Sequence, residues 1–237
     1  LTCYSQRDST EIYHATGIFL PDLKEFHGTK GVVTWEKAGF QAKDVYAELS
    51  DYTINTTRNS FTCDSAKLMH KTYFREPELG ILTDQAASIP SPEKATYPRF
   101  ETYTKHFRIK DLYKGVNYEG GLAFEGAQVR GRGTSMYPAK ITLYRNDTLY
   151  IKVTSSEFAF SKTILNSQET AATLYLAKDS IYHSNLGFSY NSVNRQVSLF
   201  RTNNPVSGSP FYNSYHNLDM YFENLSWDMT ASKIIIS

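Results

Sequence analysis

Three groups of side chains in this 237-residue sequence have types and spacings that suit them to chemistry. The first is carboxylates. Sugar-cleaving enzymes on β-helical and sandwich scaffolds use two of them beside the scissile bond, one as acid and one as base or nucleophile. Asp44 with Glu48, Asp64 with Asp84, and Glu119 with Glu125 are the pairs that neighbouring strands would bring together. Charged residues on strands also guard against edge-to-edge association, and nothing local marks any of these as a perturbed acid, so no catalytic residue is assigned. The second is the aromatic run 210–222, in which Tyr212, Tyr215, His216, Asp219 and Tyr221 follow one another closely. Tyrosine faces stack on sugar rings, while phenol, imidazole and carboxylate groups hydrogen-bond to hydroxyls, so these five are the candidate ligand-binding residues. On the plainer reading Phe211, Leu218, Met220 and Phe222 face a core and the tyrosines cover strand surfaces. The third is the basic set Arg130, Arg132, Lys140 and Arg145, read as a solvated face beside nearby acids.

Other constellations are missing from the sequence. No serine sits in a GxSxG elbow. Gly131-Arg132-Gly133 lacks the Lys-Ser/Thr that a phosphate-cradling loop requires, so the glycines at 120, 121, 126, 131 and 133 are read as corners or bulges. The six histidines are scattered singly, and neither Cys3 nor Cys63 belongs to a CxxC pair, so no metal or cofactor is expected. The two cysteines allow at most one disulfide, a matter of geometry that sequence does not decide.

The elements that must carry these residues read as strands. Eighteen Tyr and fourteen Phe favour pleated, half-buried surfaces. Between 141 and 153, Ile141, Leu143, Leu149, Ile151 and Val153 fall on alternate positions on either side of Asn146-Asp147, the pattern of a hairpin. Similar runs recur at 31–35, 45–54, 100–109, 122–129, 157–161, 172–176, 186–190, 196–201, 218–222 and 233–237, separated by Gly, Asn, Asp, Ser or Pro. The stretch 64–70 has no apolar stripe of helical period and is read as strand. Ile12–Phe19 echoes Ile181–Phe188, and Leu68-Met69-His70 echoes Ile181-Tyr182-His183. Irregular repetition of short strands suits a stacked β-solenoid or rolled sheet, with a β-sandwich as the alternative. The expected fold class is therefore all-β. The proline-rich stretch 89–98 divides a segment 1–88 from a segment 99–237, the two being continuous if the stack is, and 203–210 reads as an exposed loop.

Composition narrows the setting. Apolar residues at 41% and aromatics at 14% exclude a disordered chain. Lys plus Arg number 25 against 24 Asp plus Glu, a net charge of +1, so nucleic acid is not an expected partner. No apolar run approaches the ~20 residues of a spanning helix. The first residues lack a Met and an apolar signal core, which leads us to expect a chain that starts after signal cleavage or within a longer protein.

The blocks Gly28–Glu36, Val45–Tyr52, Gly120–Gly126 and Asp179–His183 resemble segments of very large envelope or surface proteins of Bacteroidetes-type bacteria, in texture across most of the chain. They also look like the open β-roll repeats of periplasmic lipid-transport bridges. Both resemblances imply an extracytoplasmic fragment of a larger protein and carry over no catalytic residue. The expected function is a non-enzymatic structural or partner-binding segment of a bacterial cell-envelope or surface protein. Its partners would be other segments of the same or a neighbouring envelope protein, or glycans. The alternatives are a carbohydrate-binding or carbohydrate-active lyase or hydrolase module, and a lipid bridge.

Overall fold

A computed structural model describes residues 1–5, 8–87, 91–231 and 233–237. Strands take up 61% of the described residues, and no helix among them reaches seven residues. The alternating pattern thus produces an all-β protein with a large antiparallel sheet, and the 64–70 stretch lies within the strand Ser60–His70. Contacts divide the chain into two compact units, residues 1–104 with 122–129 and residues 105–121 with 130–237. Of the proline-rich connection, Ile89 and Pro90 lie outside the described residues; Pro92–Lys94 forms a single 3₁₀ turn and Ala95 is buried within the first unit.

In the first unit the strand Glu25–Thr34 closes a hairpin with Tyr13–Leu20 and pairs on its other side with two short strands in tandem. Val45–Leu49 lies along residues 31–34 and Tyr52–Asn55 along residues 25–28. The sequence run 45–54 is broken because Asp51 takes a φ of +50°, a turn conformation that Asp tolerates better than most residues. The ladder continues through Ser60–His70, Glu78–Gln85 and Arg99–Thr102. Leu49, Leu68, Leu82, Phe100 and Phe124 are among its buried side chains.

The second unit repeats this device. Ile164–Leu176 pairs in tandem with Thr148–Ser155 and Glu157–Phe160. Asp179–Asn191 pairs on one side with Ile164–Leu176 and on the other with Gln196–Phe200 and Phe211–Asn213. Register shifts at 167–172 place bulges in the middle of the first long strand, where an unpaired residue bends the chain. The expected 141–153 hairpin is present as Ala139–Arg145 against Thr148–Ser155, turning on Asn146 and Asp147 at φ +49° and +59°, the mirror-type turn that matches strand twist. Its inward residues Ile141, Leu143, Ile151 and Val153 are buried. Within the 203–210 loop, Pro205–Gly208 makes a 3₁₀ turn started by Asn204, whose side-chain oxygen accepts the Val206 N–H.

The echoing tripeptides share a burial pattern. Leu68 and His70 point inward with Met69 between them half-buried, and Ile181 and His183 point inward with Tyr182 exposed.

Candidate functional site

The 210–222 run folds into a small hairpin, Phe211–Asn213 against Leu218–Met220, across a turn at 214–217. Asn213 starts the turn by accepting the Tyr215 N–H at 3.0 Å, and Asn217 ends it at φ +50°. Ser214 anchors the turn to the start of Asp179–Asn191: its hydroxyl accepts the Ser180 N–H at 2.8 Å and donates to the Asp179 carboxylate at 3.2 Å.

One side chain of the hairpin is fully buried. Phe211 stacks on Phe222 with centroids 3.9 Å apart and touches His183 at 4.5 Å. The Arg201 guanidinium lies over Phe211 and donates to the carbonyls of Phe222 and Ser209, both at 2.9 Å. This arginine holds the loop and the base of the hairpin together. His183 has both nitrogens engaged, one against the Ser209 carbonyl at 2.9 Å and the other accepting the Asn185 N–H at 3.0 Å. Burial, with the nearby Arg201 charge adding to it, pulls its pKa below the ordinary histidine value.

The five residues singled out from the sequence all lie on the solvent side. Tyr215 is 69% exposed and Tyr221 73%. Tyr215 packs edge-on against His216 at 4.4 Å. Tyr212 donates its hydroxyl to Asn217 at 2.8 Å and sits directly opposite Asp219. Phe211 points inward as the plainer reading had it, and Met220 and Phe222 are half-buried, but Leu218 is 41% exposed because it pairs with Asn213 at the lip of the turn.

Register adds a residue that sequence reasoning missed. Tyr182 faces Tyr212 across the ladder. Lys152, Thr173, Tyr182, Tyr212 and Asp219 are successive cross-strand partners on one face. From Tyr182 to Asp219 is two strand spacings, about 10 Å. Only the tripeptide echo drew attention to Tyr182, and it carried no sign of that pairing.

The carboxylates are engaged separately. Asp44 pairs with Lys71 at 2.9 Å, and that hydrogen bond, ahead of other effects, lowers its pKa. Glu119 takes Lys140 at 3.0 Å and Arg108 at 3.3 Å and is likewise lowered, chiefly by the Lys140 bond. Asp84 is 1% exposed and accepts the Thr10 hydroxyl, whereas Asp64 is exposed. Glu157 binds both Arg130 and Arg132, so with the Lys140–Glu119 pair three of the four members of the basic set meet an acid.

Cys3 and Cys63 are both free thiols. Among the described residues no group of three or more His, Cys, Asp or Glu is arranged to hold a metal ion, and no helix is long and apolar enough to cross a membrane.

No protein family, curated protein or solved structure matches the chain.

Proposed function

We propose that this chain is a non-catalytic binding segment of a larger bacterial cell-envelope or surface protein, and that its tyrosine hairpin holds a glycan. The observation that carries the reading is the exposed row Tyr182–Tyr212–Asp219. Two phenol rings on neighbouring strands offer stacking surfaces to the apolar faces of sugar rings, with a carboxylate at one end and Lys152 beyond Thr173 at the other to meet hydroxyls. An antiparallel ladder suits this work because it holds the rings at fixed spacing, so little conformational freedom is lost on binding. Tyr215 and Tyr221 widen the surface. The envelope setting is supported by the sequence resemblance of 28–36, 45–52, 120–126 and 179–183. A non-catalytic role is supported by the separate engagement of Asp44, Asp84 and Glu119.

The test is co-sedimentation of the 237-residue chain with peptidoglycan, chitin and cellulose, followed by titration with soluble oligosaccharides of whichever is bound. Removing one stacking ring in Tyr182→Ala, Tyr212→Ala or Tyr215→Ala is expected to weaken binding about tenfold. Retention of wild-type affinity in all three variants would remove the hairpin as the site.

A further inference from the structure

A concavity lies in the second unit, built from the ends of its hairpins. It measures about 980 Å³ and is lined by residues of four connections: Asp111, Lys114 and Gly115; Arg145 to Asp147; Arg195; and Met229 with Thr230. Tyr182 lies near the start of the strand Asp179–Asn191 and Arg195 in the turn beyond its end, so the hollow stands roughly 30 Å along the strand from the tyrosine row.

Its charges are unequal. Lys114, Arg145 and Arg195 oppose Asp111 and Asp147. The Asp111 carboxylate is already turned back onto its own loop, where it accepts the Gly115 N–H at 3.1 Å. Asp228, behind the rim, takes the Thr230 N–H and hydroxyl at 2.8 and 2.6 Å, and these bonds, with the Arg195 charge adding to them, lower its pKa. Arg195 is half-buried, and its Nε–H is buried with no acceptor among the described residues. Its guanidinium end, which stands beside the Gly115 turn and also meets the Tyr190 side chain, is the part that an anion in the hollow would reach.

Backbone geometry brings the cations together. Gly115 takes a φ of +75°, and a Cβ there would come within 2.8 Å of the Tyr144 carbonyl oxygen and 3.8 Å of an Arg195 guanidinium nitrogen. The missing side chain lets the 113–116 turn lie against the arginine. Tyr144 completes the contact by donating its N–H to the Gly115 carbonyl at 2.8 Å. Arg195 itself has a left-handed φ of +55° at the close of its hairpin, an uncommon conformation for a residue of its size.

From these observations we propose that the hollow between the four hairpin ends binds a soluble oxyanion of phosphate or sulfate-ester class, gripped by Arg195 and Arg145 and capped by Lys114. Arginine's planar fork meets two oxygens of such a group at once, which a lysine does not. The concave form suits a small solute or the charged end of a sugar chain. This site does not depend on the glycan reading of the tyrosine hairpin.

The test is an NMR titration of the full 237-residue chain, following the amides of Gly115, Asn146, Asp147 and Thr230. Three probes separate the sources: inorganic phosphate, a sulfated disaccharide, and vesicles of phosphatidylglycerol in phosphatidylcholine. Saturable shifts at these amides with phosphate or the disaccharide are expected, weakened about tenfold or more in Lys114→Gln/Arg145→Gln. These two side chains lie outside the core, so the variant keeps the fold, and the unchanged amide spectrum of the Ile141–Val153 hairpin verifies it. Tyr212→Ala is expected to leave the shifts unaltered. Binding that survives the double substitution, binding to vesicles alone, or no saturable shift with any probe would each overturn the proposal.

Discussion

The imidazole of His70 lies against the ring of Phe124, with centroids 5.1 Å apart and planes 30° from parallel, and neither of its nitrogens has a side-chain or main-chain acceptor or donor in hydrogen-bond geometry among the described residues. Its sequence echo His183 lies against Phe211 in the same way but has both nitrogens engaged. Phe40 and Tyr73 complete the ring cluster around His70, with centroids at 5.4 and 4.8 Å. Charging the ring there strips its hydration, which a backbone interaction favouring the charged form does not offset, so burial pulls its pKa down from 6.5 to about 4. A depressed folded-state pKa gives stability that is present above pH 6.5 and lost as pH falls through 4, of order 3 kcal/mol. His70→Leu is expected to reduce the loss of stability between pH 6.5 and 4, read from urea unfolding at stepped pH. A profile parallel to the wild type would refute the assignment.

Asp84 works in the opposite sense within the same unit. Burial raises its carboxyl from 3.8 to about 6, against the hydrogen bonds from Thr10 and the Gln85 N–H and the nearby Lys37 charge, all of which lower it. A raised folded-state pKa stabilises most below pH 3.8, and the contribution, also of order 3 kcal/mol, disappears as pH rises through 6. The two groups therefore oppose one another between pH 4 and 6. Asp84→Asn should leave His70 unopposed, so stability falls more steeply on acidification than in the wild type. Equal slopes in the same urea series would count against a buried, raised Asp84.

Tyr52 lies across the ladder over Gly28, its direct partner, and donates its hydroxyl to the Lys30 carbonyl at 3.0 Å. A Cβ on Gly28 would fall 2.2 Å from the Tyr52 ring, which is itself 3% exposed and has no room to retreat. Gly28→Ala is expected to destabilise the first unit by about 1–3 kcal/mol, the usual cost of overpacking. Thermal unfolding measures it, and a midpoint equal to that of the wild type would contradict the close approach.

The cysteines should react in two steps. Cys63 is 1% exposed, with its Sγ 3.7 Å from the Ser50 carbonyl, whereas Cys3 is half-buried on a short strand beside an open hollow. Burial first, and then the Asp84 charge, pushes the Cys3 thiol pKa up, so even this more open group reacts slowly. Labelling of the native chain at neutral pH is expected to modify Cys3 alone, and denaturant to release Cys63. Two equivalents reacting at one rate in the native state would show this packing to be wrong.

The class of the fold was legible because alternation is a local property. Ile141, Leu143, Ile151 and Val153 announce their inward face within thirteen residues, and Asn146-Asp147 supplies the turn chemistry between them. The exposure of Tyr212, Tyr215 and Tyr221 beside buried Phe211 follows from the same reasoning applied to a short hairpin. The echo of Leu68-Met69-His70 in Ile181-Tyr182-His183, read as a sign of repetition, coincides in the fold with a shared inward face at the first and third positions.

Partnership across the ladder was not legible. Tyr182 meets Tyr212 thirty residues away, and Arg195 comes beside the Gly115 turn eighty residues from it, only because registers and bulges bring the strands into line. A shift of one residue would turn those side chains to the other face, and no local pattern reports it. The fates of the two histidines differ for the same reason. His183 is satisfied by a carbonyl that the 203–210 loop delivers from Ser209, whereas His70 receives only rings, and which groups arrive is a decision of tertiary packing.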